Sequence, residues 1–265
     1  MTEQKKPAVA IVKSWAWLIP VLPLGLAIAI YFGGLQTSTF LFVNHYTQLL
    51  PDVVWTWLTF LGNGWGIFAL CFPLLLLAPR LLIASLFGAT IGGLISQLLK
   101  TLLNLPRPSG VLPLADFYRV GEPLLYRAMP SGHTLTAFAV ASGIYFATDK
   151  NKRSNLWWIF VIASCVGLSR NALGAHWFTD VLAGCALGLW SGMIGALLSS
   201  YIPNAQLAPN KMGPRLLSLA GIGMTYVLLT QVLDSPLNAS LQYACVALIG
   251  ITLILLIQAQ KNKGI

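Results

Sequence analysis

Charge is what this chain has least of. Only 9% of its 265 residues are Asp, Glu, Lys or Arg, where soluble domains carry about a quarter. A water-soluble globular domain is thereby excluded as the default. Acidic residues number seven and histidines three, and nowhere do carboxylates cluster as a magnesium site requires. The four cysteines, Cys71, Cys165, Cys185 and Cys245, stand singly in apolar runs. They offer neither metal-ligand spacing nor a disulfide framework and are read as small buried hydrophobes. Strict apolar–polar alternation is also missing, which excludes a transmembrane β-barrel.

What is present is hydrocarbon: 57% hydrophobic residues and a mean hydropathy of +0.75. A crossing needs about 20 apolar residues. About eight runs qualify, near 15–34, 53–77, 81–103, 132–148, 156–172, 178–201, 215–233 and 241–258. The expected fold is all-α, a polytopic helical membrane protein, because only helices and closed barrels satisfy the backbone in lipid. It divides into an N-terminal anchor and outer interfacial helix (1–52), a core (53–201) that makes six spans with the anchor, and two additional spans (202–265). The first run follows Lys5, Lys6 and Lys13 and contains Ala-Ile-Ala at 27–29. Its length argues for an uncleaved anchor rather than a signal peptide.

The net charge of +9 suggests nucleic acid until its placement is read. With the N-terminus in the cytoplasm, eleven of the sixteen basic residues fall inside, and Lys100, Arg107, Arg119, Arg127 and Arg170 fall outside. This bias is an orientation signal, placing both termini in the cytoplasm and leaving no nucleic-acid partner to invoke. Residues 39–50, TFLFVNHYTQLL, put Phe42, Val43, Tyr46, Leu49 and Leu50 on one helical face, opposite Asn44, His45, Thr47 and Gln48. That pattern suits an interfacial helix. Trp15, Trp17, Trp55, Trp57, Trp157, Trp158 and Trp177 fall near span ends, as membrane-interface anchors do. Gly184, Gly188 and Gly192, four apart, form a seam for close helix packing.

The outer ends of spans three to six collect the unusual polar residues. Lys100 lies in the last turns of span three, and Arg107 sits between Pro106 and Pro108, which restrict its backbone. Either alone fits a snorkelling cation. Span four opens MPSGHTLTAF, with Ser131 as a cap, Gly132 allowing close approach, and His133 in the first turn. A helix N-terminus is a ready anion site. Between spans five and six runs SRNALGAHWFTD, with Arg170, His176 and Asp180. His176 and Asp180 are four apart, so a carboxylate can orient an imidazole. Asp180 at the start of a membrane span is costly without a partner. Three cations and a helix N-terminus suit a tetrahedral oxyanion such as phosphate, and two histidines with one carboxylate supply a nucleophile and an acid. The cations around His176 favour its neutral form and Asp180 opposes them.

Lys100-x6-Arg107-Pro108, Pro130-Ser131-Gly132-His133 and Ser169-Arg170-x5-His176-x3-Asp180 together resemble the three-part signature of the type 2 phosphatidic acid phosphatase superfamily. The resemblance covers roughly residues 53–200. It implies that His176 attacks phosphorus to form a phosphohistidine, with Asp180 orienting it. It implies that His133 protonates the leaving oxygen and then activates water, and that Lys100, Arg107, Ser131, Gly132 and Arg170 hold the phosphoryl oxygens. No metal and no cofactor are expected. Soluble acid phosphatases and vanadium haloperoxidases are similar at these positions, so the lipid substrate is inferred from topology: a site at the outer membrane surface suits a lipid phosphate or pyrophosphate arriving laterally. Undecaprenyl pyrophosphate is the first choice. Lipid A, phosphatidylglycerophosphate, or phosphotransfer to a second lipid are alternatives, and an anion transporter is the non-enzymatic one. Spans seven and eight lie outside the signature and are expected to pack or support. Oligomeric state is not encoded in these motifs.

Overall fold

The computed structural model describes residues 12–261, so Lys5, Lys6 and Lys263 of the expected charge bias lie outside the described residues. Within them the chain is helical, with no strand. In order the helices are α1 (Val21–Phe32), α2 (Gln36–Thr47), α3 (Asp52–Phe60), α4 (Gly64–Cys71), α5 (Leu74–Leu77), α6 (Pro79–Leu103), α7 (Gly132–Ala147), α8 (Lys150–Arg153), α9 (Trp158–Ala172), α10 (Phe178–Ser200), α11 (Met212–Thr230) and α12 (Ala239–Lys261).

Helix α10 is the axis of the bundle, packing along α7 and α6 and also against α1 and α9. The glycine seam explains how closely it does so. A Cβ on Gly184, Gly188 or Gly192 would lie 2.7, 2.5 or 2.4 Å from the carbonyl oxygens of Ser131, Leu135 and Ala139 on or beside α7. The two backbones are therefore in direct contact, as small-residue interfaces permit. The α11–α12 hairpin packs on α4, with Phe72, Leu75, Leu228, Cys245, Ile249 and Leu256 among the buried side chains between them.

Five segments are long and apolar enough to cross a membrane: Ser14–Phe32, Pro79–Gly110, Phe178–Ser200, Asn204–Thr230 and Pro236–Lys261. The run expected to be one span at 53–77 is broken. Helices α3 and α4 meet at 71°. The break falls at Gly62-Asn63-Gly64, where the Asn63 side chain caps α4 by accepting from Trp65 N–H at 3.0 Å. Helices α7 and α9, with 16 and 15 residues, are shorter than a full crossing. At 1.5 Å per residue they reach only about 24 Å.

Two expectations about surface placement are corrected. Trp55 and Trp177 are buried core residues rather than interface anchors, and their indole N–H groups donate to Thr47 O and Pro106 O. Trp15, Trp57, Trp157 and Trp158 are exposed. In α2 the polar Asn44 and Thr47 turn inward while His45 stays exposed: Asn44 is 2% exposed, donating to Tyr118 O and Asn171 O at 2.9 and 2.8 Å. Its Oδ1 accepts from Tyr118 N–H at 2.8 Å. Phe42, Tyr46 and Leu49 point outward. A buried amide with its hydrogen bonds satisfied costs little, and here it ties α2 to the end of α9 beside the site.

Candidate active site

Chain direction brings the polar residues together. Helices α6 and α9 end, and α7 and α10 begin, at one end of the bundle. Arg80, Lys150, Lys152, Arg153, Lys211, Arg215 and Lys261 belong to the helix ends at the opposite side.

Helix α10 begins after Trp177, and the Asp180 carboxylate folds back over this first turn. Its Oδ2 accepts from Trp177 N–H at 3.0 Å and from His176 Nδ1 at 3.2 Å. His176 and Asp180 are 2% and 1% exposed. The His176 backbone is held as well: its N–H donates to Arg170 O at 3.3 Å, and Asn171 Nδ2 donates to its carbonyl at 2.8 Å. With Nδ1 carrying the proton toward Asp180, Nε2 keeps its lone pair. Burial, followed by the positive charges of Arg107, Arg170, Lys100 and His133, holds the imidazole well below its ordinary pKa of 6.5. It is neutral at physiological pH, as a nucleophile must be. The structure resolves the competition between cations and Asp180 in favour of burial and the cations.

The start of α7 lies against the start of α10, with Ser131 N–H donating to Asp180 O at 3.0 Å. Ser131 holds the N-cap position, but its hydroxyl does not cap the helix. Instead it accepts from Thr134 Oγ1 at 2.9 Å, which leaves the hydroxyl proton unused. Lys100 Nζ lies 3.7 Å from where a Gly132 Cβ would stand, so the ammonium faces the first turn of α7. Arg170, from the end of α9, is 8% exposed. It donates through Nη1 to Thr59 Oγ1, while its buried Nε has no partner among the described residues. A buried guanidinium N–H without a protein acceptor is a donor suited to an anion. Arg107 is placed differently from a free phosphate ligand. Its Nε and Nη1 donate to Tyr126 O and Ala175 O at 2.9 and 3.0 Å. It staples the 104–129 loop beside His176 and retains only part of its donor set for a ligand.

The remaining site histidine shows what sequence reasoning missed. His133 Nε2 lies 2.9 Å from Asp234 Oδ1, a residue in the turn between α11 and α12. Asn63 Nδ2 donates to the other carboxylate oxygen at 2.9 Å. Gly62, at the α3–α4 bend, packs so closely that a Cβ there would fall 2.8 Å from His133 O. One signal was available: Asp234 is one of seven acidic residues and stands alone between two apolar runs, the same anomaly that drew attention to Asp180. A cavity of about 250 Å³ opens beside it, lined by Arg170, Asp234, Arg119 and Glu122 among others. Arg127 is engaged elsewhere, donating to Gln97 Oε1 at 3.0 Å.

Comparison with known proteins adds an independent line. Residues 81–204 match the family described as the PAP2 superfamily. A lipid A 1-phosphatase of Porphyromonas gingivalis is 40% identical over 75 residues, 28% of this chain and 16% of that protein. Phosphatidylglycerophosphatase B of Bacillus subtilis is 34% identical over 119 residues, 41% of this chain and 52% of that one. The crystal structure of Aquifex aeolicus LpxE is similar with a TM-score of 0.54 at 28% identity, covering 61% of this chain and 94% of that chain. Against these curated relatives the chain spans about half of their length or less.

Proposed function

Because the chain belongs to the PAP2 superfamily, we propose that it is an integral-membrane lipid phosphatase working through a phosphohistidine on His176. The observation that carries the reading is the meeting of all three motif segments at one bundle end, where Asp180 accepts from His176 Nδ1 and the buried Nε of Arg170 has no partner among the described residues.

The His176 Nε2 lone pair attacks phosphorus as the P–O ester bond breaks. His133, protonated, gives its proton to the departing oxygen. A water then loses a proton to His133 and attacks the phosphohistidine, breaking the P–N bond. Inorganic phosphate leaves and both imidazoles return to their starting states. Lys100, Arg170, the spare donors of Arg107, the Ser131 hydroxyl and the Gly132 amide hold the phosphoryl oxygens, where charge concentrates in phosphoryl transfer. These fixed cations take the electrostatic role that a metal serves elsewhere, and no cofactor takes part.

Undecaprenyl pyrophosphate remains the first substrate choice. Arg119 shares the cavity of Arg170 and Asp234 and supplies a cation for a second phosphate. The names of the curated relatives favour a second reading, a lipid phosphate monoester such as lipid A or phosphatidylglycerophosphate. The basic helix ends opposite the site support an orientation with the site toward the periplasm and those ends in the cytoplasm of the inner membrane. The test is phosphate release by purified protein, with chelator present, from undecaprenyl pyrophosphate, phosphatidylglycerophosphate and lipid A. The expected result is chelator-resistant turnover of at least one lipid. A requirement for a divalent metal, or full activity of His176→Ala, would overturn the reading.

A further inference from the structure

The α11–α12 hairpin lies beyond the matched residues 81–204, yet its connecting turn reaches the site. That turn is built rather than loose. Gln242 of α12 is 5% exposed; it donates to Leu228 O and Gln231 O at 2.7 and 2.8 Å, and its Oε1 accepts from Leu233 N–H at 3.3 Å. Asn238, fully buried, donates to Leu233 O at 3.1 Å. Asp234 itself has a φ of +62°, a left-handed conformation that costs most residues energy and is kept where surrounding structure over-determines it. Two buried amides, Asn238 just before α12 and Gln242 within it, thus hold a turn whose tip is a carboxylate. That carboxylate ends on His133 Nε2 on one side and Asn63 Nδ2 on the other.

We propose that Asp234 is a positioning residue for His133: it fixes the imidazole's rotation and keeps a proton on the ring, so that Nδ1 faces the leaving oxygen. The C-terminal hairpin thereby completes the acid–base half of the site instead of only supporting the bundle. The inference rests on the phosphatase reading above. The same logic already operates at His176, where Asp180 binds Nδ1 and leaves Nε2. At His133 the ring is used the other way round, with Nε2 bound and Nδ1 without a protein partner among the described residues. Asp234 is 16% exposed at its side chain. Burial pushes its pKa up, but the hydrogen bond and charge of His133, with Arg170 and Asn63, outweigh this and leave it below the usual carboxylate value. It therefore stays an anion beside the imidazole it orients.

The experiment compares Asp234→Asn with wild type on phosphatidylglycerophosphate, whose alkoxide leaving group needs a proton, and p-nitrophenyl phosphate, whose phenolate does not. The readout is kcat/KM, which reports steps through phosphoenzyme formation. A general acid contributes about 10²–10⁴-fold. The expected loss is about 10- to 100-fold on the lipid and under about 3-fold on the aryl ester, with Asp234→Glu recovering part of the lipid rate. Equal losses on both substrates would assign Asp234 a purely structural role and overturn the proposal. So would unchanged or raised activity, the latter marking the carboxylate as an occupant of the anion pocket. If Asp234→Asn does not fold, Asn63→Ser serves instead, since serine keeps the helix cap while removing the amide that anchors Asp234. The same substrate selectivity is expected at smaller size, and its absence would again overturn the proposal. Wild-type protein that releases phosphate from neither substrate and from no lipid of the panel above would refute the phosphatase reading itself, whereas active wild type with unselective losses refutes only the role of Asp234.

Discussion

Replacing Gly188 by alanine puts a methyl group 2.5 Å from Leu135 O and 2.7 Å from Phe138 Cβ. Ordinary contact begins near 3.4 Å, and the obstacle is helix backbone rather than the end of a flexible side chain. The α7–α10 pair must therefore separate by about 0.9 Å, the difference between those distances. Overpacking of this kind costs about 1–3 kcal/mol. The consequence at the site is larger than the loss of stability. Helix α7 carries His133 and the Gly132 amide, while α10 follows His176 and carries Asp180, so the separation moves the acid away from the nucleophile. A displacement of about 1 Å can cost about 100-fold in rate. The assay pairs thermal unfolding in detergent with phosphate release from the best lipid of the substrate panel. Gly93→Ala is the control, because no atom lies within 4 Å of a Cβ there, and it should match wild type in both. Gly188→Ala with wild-type melting and turnover would refute the account of the seam as the part that sets the site's spacing.

Three further outcomes follow from the geometry. Asp180→Asn keeps the shape of the side chain but no longer favours the Nδ1–H tautomer of His176, so turnover should fall about 10³–10⁴-fold, as in other carboxylate–histidine pairs; a loss under about 10-fold would contradict the orienting role. Burial and the nearby cations hold the His176 pKa below 6.5, so any loss of kcat/KM that comes from protonating His176 should set in only below that value, where the imidazole takes up its proton. Unfolding should become easier over the same acid range, because the unfolded chain binds that proton first, and an acid limb centred above 6.5 that tracks His176 protonation would be contrary. Arg107→Lys loses the fork that reaches Tyr126 O and Ala175 O. It should lower both the melting temperature and the rate, by about 1–3 kcal/mol in stability, and a loss of rate with unchanged melting would instead make Arg107 a phosphate ligand only.

Local chemistry made much of this protein legible in its sequence. The apolar runs gave the helices, and the spacing of His176 and Asp180 gave their contact, because four residues on a helix share a face. The glycine seam was readable for the same reason. The bend at Gly62-Asn63-Gly64 was hidden inside an uninterrupted apolar stretch, since hydropathy measures burial and not direction. Trp55 and Trp177 were misplaced because a tryptophan near a span end reads the same whether it faces lipid or the loop packed over it. Asn44 turned inward because its partners, Tyr118 and Asn171, come from distant segments. Asp234 escaped for the same cause: its contact with His133 spans 101 residues, and no periodicity links a turn between two late helices to the first turn of an earlier one.

The most direct test of the central claim is to quench turnover of a phosphorus-labelled lipid substrate with alkali, digest the protein, and locate the label. A phosphohistidine at His176, absent from His176→Ala and accumulating when His133 is replaced, is the expected result. Label on a serine, an aspartate or any other residue, or steady turnover by His176→Ala with no labelled intermediate, would contradict it.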